Sequence, residues 1–93
     1  MLKHLNIRVY GRVQGVFFRV TAKEEAEKLG IKGFAKNEPD GSLYIEAEGE
    51  EKELNKFLRW CHDGPQAAKV DKIEISQGQL KNFSEFGRDF IDY

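Results

Sequence analysis

Leu5, Ile7 and Val9 alternate with His4, Asn6, Arg8 and Tyr10, the period-2 signature of a strand that buries one face. The alternation ends at Gly11. Beyond a short loop the period lengthens: Phe18, Ala22, Ala26 and Leu29 recur at helical spacing, while Lys23, Glu24, Glu27 and Lys28 form i,i+4 opposite-charge pairs on the other side. Gly30 supplies a left-handed cap for that helix.

Ile31 to Asn37 reads as a second strand, and Glu38-Pro39-Asp40-Gly41 as a tight turn, with Pro setting the first turn dihedral and Gly accepting positive φ. On the return strand Leu43, Ile45 and Ala47 face one way and Ser42, Tyr44, Glu46 and Glu48 the other, which predicts one dry and one wet face. Leu54, Phe57, Leu58 and Cys61 then mark a second amphipathic helix. It starts at Glu50 and Glu51, whose charge suits a helix N-terminus, and stops at Gly64-Pro65. Val70, Ile73 and Ile75 predict a further strand whose imperfect alternation points to a bulge. Ser76 to Ser84 reads as a polar, mobile connection, and Phe90, Ile91 and Tyr93 as a short final strand.

The order β, α, β, β, α, β with right-handed crossovers predicts an α+β, ferredoxin-like βαββαβ sandwich: two helices packed on one antiparallel sheet, with a short additional C-terminal strand. At 93 residues the chain is expected to form a single domain, residues 1–93, with one core.

Fifteen Lys and Arg against sixteen Asp and Glu leave a formal net charge of -1, so no global positive field is available to gather nucleic acid. The lone Cys61 excludes an intramolecular disulfide framework and favours a cytoplasmic setting. MLKHLNIRVYG lacks the apolar run of a signal peptide, and nothing approaches the roughly 20 apolar residues that span a bilayer. No nucleic acid and no membrane are expected as partners, a local anion site remains possible, and a monomer acting on a small molecule is the expected state.

The loop GRVQGVFFR, Gly11 to Arg19, leaves a strand and enters a helix, a geometry that can aim successive backbone N–H groups at one tetrahedral anion. Gly11 and Gly15 permit unusual dihedrals, and Arg19 at the helix entrance offers a bidentate fork to two phosphoryl oxygens. Taken alone the loop is also explained as a plain turn in which Val16, Phe17 and Phe18 anchor a helix, because it is neither GxxxxGK[ST] nor GxGxxG. Asn37 alone is explained by turn capping. Split βαβ topology can, however, bring the loop and the end of a second strand to one sheet edge, where an Asn beside an anion cradle can orient a water.

GRVQGVFFR, together with GFAKNEPDGSL and the later Gly49, resembles the two signatures of the acylphosphatase family, and the likeness extends through Trp60-Cys61, Gly64-Pro65 and the terminal strand. The resemblance implies a metal-independent, cofactor-free hydrolase that splits the carboxyl-phosphate anhydride of acyl phosphates into a carboxylate and inorganic phosphate. It places the family's phosphate-binding arginine on Arg19, its water-positioning asparagine on Asn37, and its phosphate-binding loop on the backbone of Gln14, Gly15, Val16, Phe17 and Phe18. Leu43 stands where Val is usual and Gln66 where a second Pro is common, both outside this chemistry.

A carboxylate leaving group, with a pKa of about 4, departs without a general acid. Asn37 cannot act as a base, so the water is oriented and its proton passes to substrate or solvent. His4 and His62 lack metal-ligand spacing and read as surface or strand-packing residues. Cys61 reads as a buried inert thiol and Trp60 as cover for a helix edge. Phe17 and Phe18 read as packing residues, Phe18 on the helix stripe and Phe17 with the alternative of shaping the cradle's floor, and the cluster Glu46, Glu48, Glu50, Glu51 reads as a solvated face and helix start. A rival reading, an RNA-recognition module, begins well at Lys32-Gly33-Phe34-Ala35 but fails where base-stacking aromatics should follow and Lys36, Asn37, Glu38 and Pro39 stand. A non-catalytic anion-binding domain differs from the enzyme only in whether Asn37 organises water.

Overall fold

The computed structural model describes residues 1–87. The elements run β1 (Leu2–Arg12), α1 (Phe18–Lys28), β2 (Lys32–Asn37), β3 (Leu43–Glu50), α2 (Glu51–Asp63), β4 (Lys69–Gly78) and β5 (Phe86–Gly87). Among the described residues they form one sheet in the order β4-β1-β3-β2-β5. β1 pairs antiparallel with β3 and β4, β2 pairs antiparallel with β3, and β5 adds parallel to β2. This is the expected split βαβ sandwich, to which β5 adds a two-residue strand at Phe86–Gly87; the final strand expected at Phe90, Ile91 and Tyr93 lies outside the described residues.

The dry face is the one anticipated from alternation. Ile7, Val9, Leu43, Ile45 and Ala47 close over Phe18, Ala22 and Ala26 of α1 and Leu54, Phe57 and Cys61 of α2 in one buried cluster. Helix α1 ends in a Schellman arrangement: the Gly30 N–H donates to Glu27 O, the Ile31 N–H donates to Ala26 O, and Gly30 takes φ 69°. Trp60 covers a helix edge as expected, its ring 5.2 Å from Phe18 and 6.0 Å from Phe57. No helix among the described residues is long and apolar enough to cross a membrane.

The bulge inferred in β4 is present. Register moves from Tyr10 opposite Lys72 to Gly11 opposite Val70, leaving Asp71 as the extra residue. Gly11 belongs to this crossing rather than to the loop beyond it: at φ 128°, a Cβ there would stand 2.2 Å from Lys69 O.

The opposite sheet face departs from expectation. Glu46 and Glu48, read as solvated, are only 6% and 7% exposed, and His4 between them is 1% exposed. Cross-strand pairing of His4 with Glu48 and of Asn6 with Glu46 explains this, because it gathers polar groups on one patch. His4 Nδ1 lies 2.8 Å from Glu48 Oε2 and Nε2 lies 3.1 Å from Glu46 Oε1. Nor is the Ser76–Ser84 stretch a loose connection: β4 continues to Gly78, and the Lys81 and Phe83 N–H groups donate to the Glu48 carboxylate.

Burial pushes the Glu48 carboxyl upward, but those N–H groups and His4 more than offset it, and the carboxyl lies below its ordinary value. Glu46 is lowered in the same way, its burial outweighed by Lys81 and Tyr44 and by the His4 charge. The Tyr44 hydroxyl, half-buried and donating to Glu46 at 2.7 Å, is pushed up to about 12.

Candidate active site

The loop between β1 and α1 carries an unusual run of backbone dihedrals. Gly15 and Phe17 take positive φ, 72° and 65°, on either side of Val16, which does not. Alternating handedness turns successive N–H groups toward one side, the geometry of an anion-binding nest. Among the described residues no hydrogen bond takes up the N–H groups of residues 15–18, so these donors remain at the positive end of α1. Phe17 O accepts from both the Thr21 N–H at 3.1 Å and the Thr21 hydroxyl at 2.8 Å, which pins the last loop residue to the helix.

Phe17 differs from expectation. Phe18 is buried in the core, but Phe17 is 76% exposed. A bulky residue in the left-handed region costs on the order of 1–3 kcal/mol, and burial of this ring within the fold offsets little of it.

The β2–β3 hairpin forms the facing wall. Gly41 N–H donates to Glu38 O at 3.0 Å and Glu38 N–H donates to Ser42 O at 2.9 Å, closing the expected turn. The Asp40 carboxylate accepts from the Ser42 N–H and hydroxyl, at 2.9 and 2.6 Å, and these hydrogen bonds hold its carboxyl below the ordinary range. Asn37 is the last residue of β2, immediately before this rigid turn.

Loop and hairpin meet at a cavity of about 240 Å³ lined by Val13, Gly15, Phe17, Phe18, Arg19, Val20 and Asn37. Asn37 Oδ1 is buried and has no hydrogen-bond partner among the described residues. Such an atom is costly unless a ligand or water serves it. Arg19, Asn37 and the loop residues Gly15, Phe17 and Phe18 thus come together as anticipated. Val16 is buried behind them, and Gln14 lies to one side.

The Gln14 side chain was not singled out by sequence reasoning. Its Nε2 donates to Glu38 O at 2.8 Å and to Ser42 O at 2.9 Å, bridging the loop to the base of the hairpin just past Asn37. The available signal was a long neutral donor in a loop otherwise made of Gly, Val and Phe. Gln14→Glu keeps the length but sets a carboxylate against two carbonyl oxygens, and is expected to lower kcat about tenfold or more at saturating substrate, with Gln14→Ala between it and wild type. Full kcat in Gln14→Glu would show that the bridge does not align the two walls.

A larger depression, about 400 Å³, crosses the helix-free face and includes Asn6, Arg8, Tyr44, Glu74 and Ser76. Arg8 there already lies over the Tyr44 ring and beside Glu38. Of the remaining candidates, His62 is exposed on α2. Cys61 is buried, and its burial pushes the thiol up, which leaves it protonated and inert. Among the described residues no group of three His, Cys, Asp or Glu could hold a metal ion.

A family model described as Acylphosphatase matches residues 5–90. The chain belongs to the acylphosphatase family. It is 41% identical over 87 residues to an acylphosphatase of Nocardioides sp., covering 94% of this chain and 88% of that one. It is 46% identical over 82 residues to one of Archaeoglobus fulgidus, covering 88% and 92%. The crystal structure of acylphosphatase from Bacillus subtilis superimposes with a TM-score of 0.91 at 36% identity, over 97% of this chain and all of that one. Membership makes this chain a hydrolase of acyl phosphates, cleaving the carboxyl-phosphate anhydride to carboxylate and inorganic phosphate.

Proposed function

We propose that the chain works as a single catalytic domain which hydrolyses acyl phosphates without a metal ion. The phosphoryl group is held by Arg19 and by the backbone of residues 14–18, and the attacking water is oriented by Asn37. The Oδ1 of Asn37, buried without a hydrogen-bond partner among the described residues and in the same cavity as Arg19, carries this reading. That oxygen accepts a hydrogen bond from water and sets it in line with the phosphorus, while the guanidinium and the N–H groups meet charge on the equatorial oxygens.

The chemistry asks for little else. The leaving carboxylate is already a stable anion, so no general acid is required. The water proton leaves to the substrate or to solvent because Asn37 has no basic atom to take it. Positive charge from Arg19 and from the α1 N-terminus replaces what a cation would supply. The acting unit is taken as a monomer, and the single buried thiol fits a reducing cytoplasm.

Purified protein treated with chelator is expected to hydrolyse benzoyl phosphate at a rate far above the protein-free blank, read as loss of ultraviolet absorbance. A rate equal to the blank with intact fold would leave an anion-binding domain instead, and a rate restored only by added divalent cation would reject metal independence.

A further inference from the structure

A phosphoryl group makes use of backbone donors and a guanidinium, but it has no use for an aromatic ring at residue 17. Phe17 nevertheless holds one in a backbone conformation at φ 65° that glycine or asparagine would adopt with less strain. The ring is largely exposed, so stability of the fold does not account for it. Its stem is fixed, because both donors of Thr21 hold the Phe17 carbonyl. Val20, one helical turn on, is also exposed, at 37%, and both residues line the cavity that contains Arg19 and Asn37.

In-line displacement puts the departing acyl group on the side of the phosphorus away from the attacking water. The water is assigned to Asn37 at the end of β2, whereas Phe17 and Val20 belong to the loop and α1, on the other wall. An exposed, positioned ring beside an aliphatic side chain attracts flat apolar groups, by area removed from water and by offset or edge-to-face ring contacts. Resting on the reading above, we propose that Phe17, with Val20, is the acyl-recognition surface, and that it selects acyl phosphates with an aromatic acyl group over those with a short aliphatic one.

The test is kcat/KM for benzoyl phosphate divided by kcat/KM for acetyl phosphate, measured on wild type, Phe17→Asn and Phe17→Tyr. The quotient cancels any change in the shared phosphoryl half of the site and in the fraction of folded protein. Asparagine tolerates the left-handed backbone without offering a ring. The quotient is expected to fall about tenfold in Phe17→Asn and to stay within about twofold of wild type in Phe17→Tyr. A quotient in Phe17→Asn within twofold of wild type, or an equal loss in Phe17→Tyr, overturns the assignment. Wild-type protein inert toward both substrates would overturn the reading of the site itself, and the inference with it, on different grounds.

Discussion

Arg19→Ala is expected to raise KM and lower kcat together, with kcat/KM falling on the order of 10³-fold, because in the proposed site the guanidinium grips the phosphoryl group both before and during transfer. It stands at the second residue of α1, beside loop N–H groups that no hydrogen bond takes up among the described residues, and in the proposed site its fork completes a cradle that is otherwise backbone. Arg19→Lys keeps the charge but loses the planar pair of donors, and is expected to recover only a small part of the loss. Steady-state kinetics with benzoyl phosphate decides the matter; wild-type constants in either variant would remove Arg19 from the site.

Asn37→Ala should behave differently. It removes one oriented acceptor and no charge, so kcat is expected to fall about 10²-fold or more while inorganic phosphate still competes with substrate at nearly its wild-type inhibition constant. The separation of kcat from phosphate binding is the diagnostic feature. Asn37 sits one residue before a hairpin held by Asp40, Ser42 and Gln14, and a purely structural asparagine would loosen that wall and weaken phosphate binding as well. Loss of both in parallel would make Asn37 a turn residue.

The dry side of the fold was legible because period alone governs it: Leu5, Ile7 and Val9 on β1 and Leu54, Phe57, Leu58 and Cys61 on α2 could bury only one face each. The polar side was not. Glu46 and Glu48 carry charge, and local pattern places charge in water; only the register that sets His4 opposite Glu48 makes their burial tolerable, and register is a long-range fact. The meeting of Arg19 and Asn37 at one cavity was legible through their motifs, since each stands at the end of an element flanked by turn chemistry. The Gln14 bridge was hidden because its partners are backbone carbonyls 24 and 28 residues away, which no side-chain pattern reports. For Phe17 the packing reading failed and the place at the cradle held: beside Phe18 it looks like core, yet its ring is exposed and lines the cavity.

The interior position of β1 bears on how the protein comes to be active as it is made. Residue 12, at the threshold of the loop, finds its sheet partner at residue 69, and the rest of β1 waits for β3 and β4 in the same way. Such distant pairings are slow to close and leave early segments without a template. A growing chain on the ribosome therefore carries Arg19 and Gly15 without their sheet support until residue 69 has followed. Catalytic capacity arrives late, after β4 has emerged, rather than accumulating element by element.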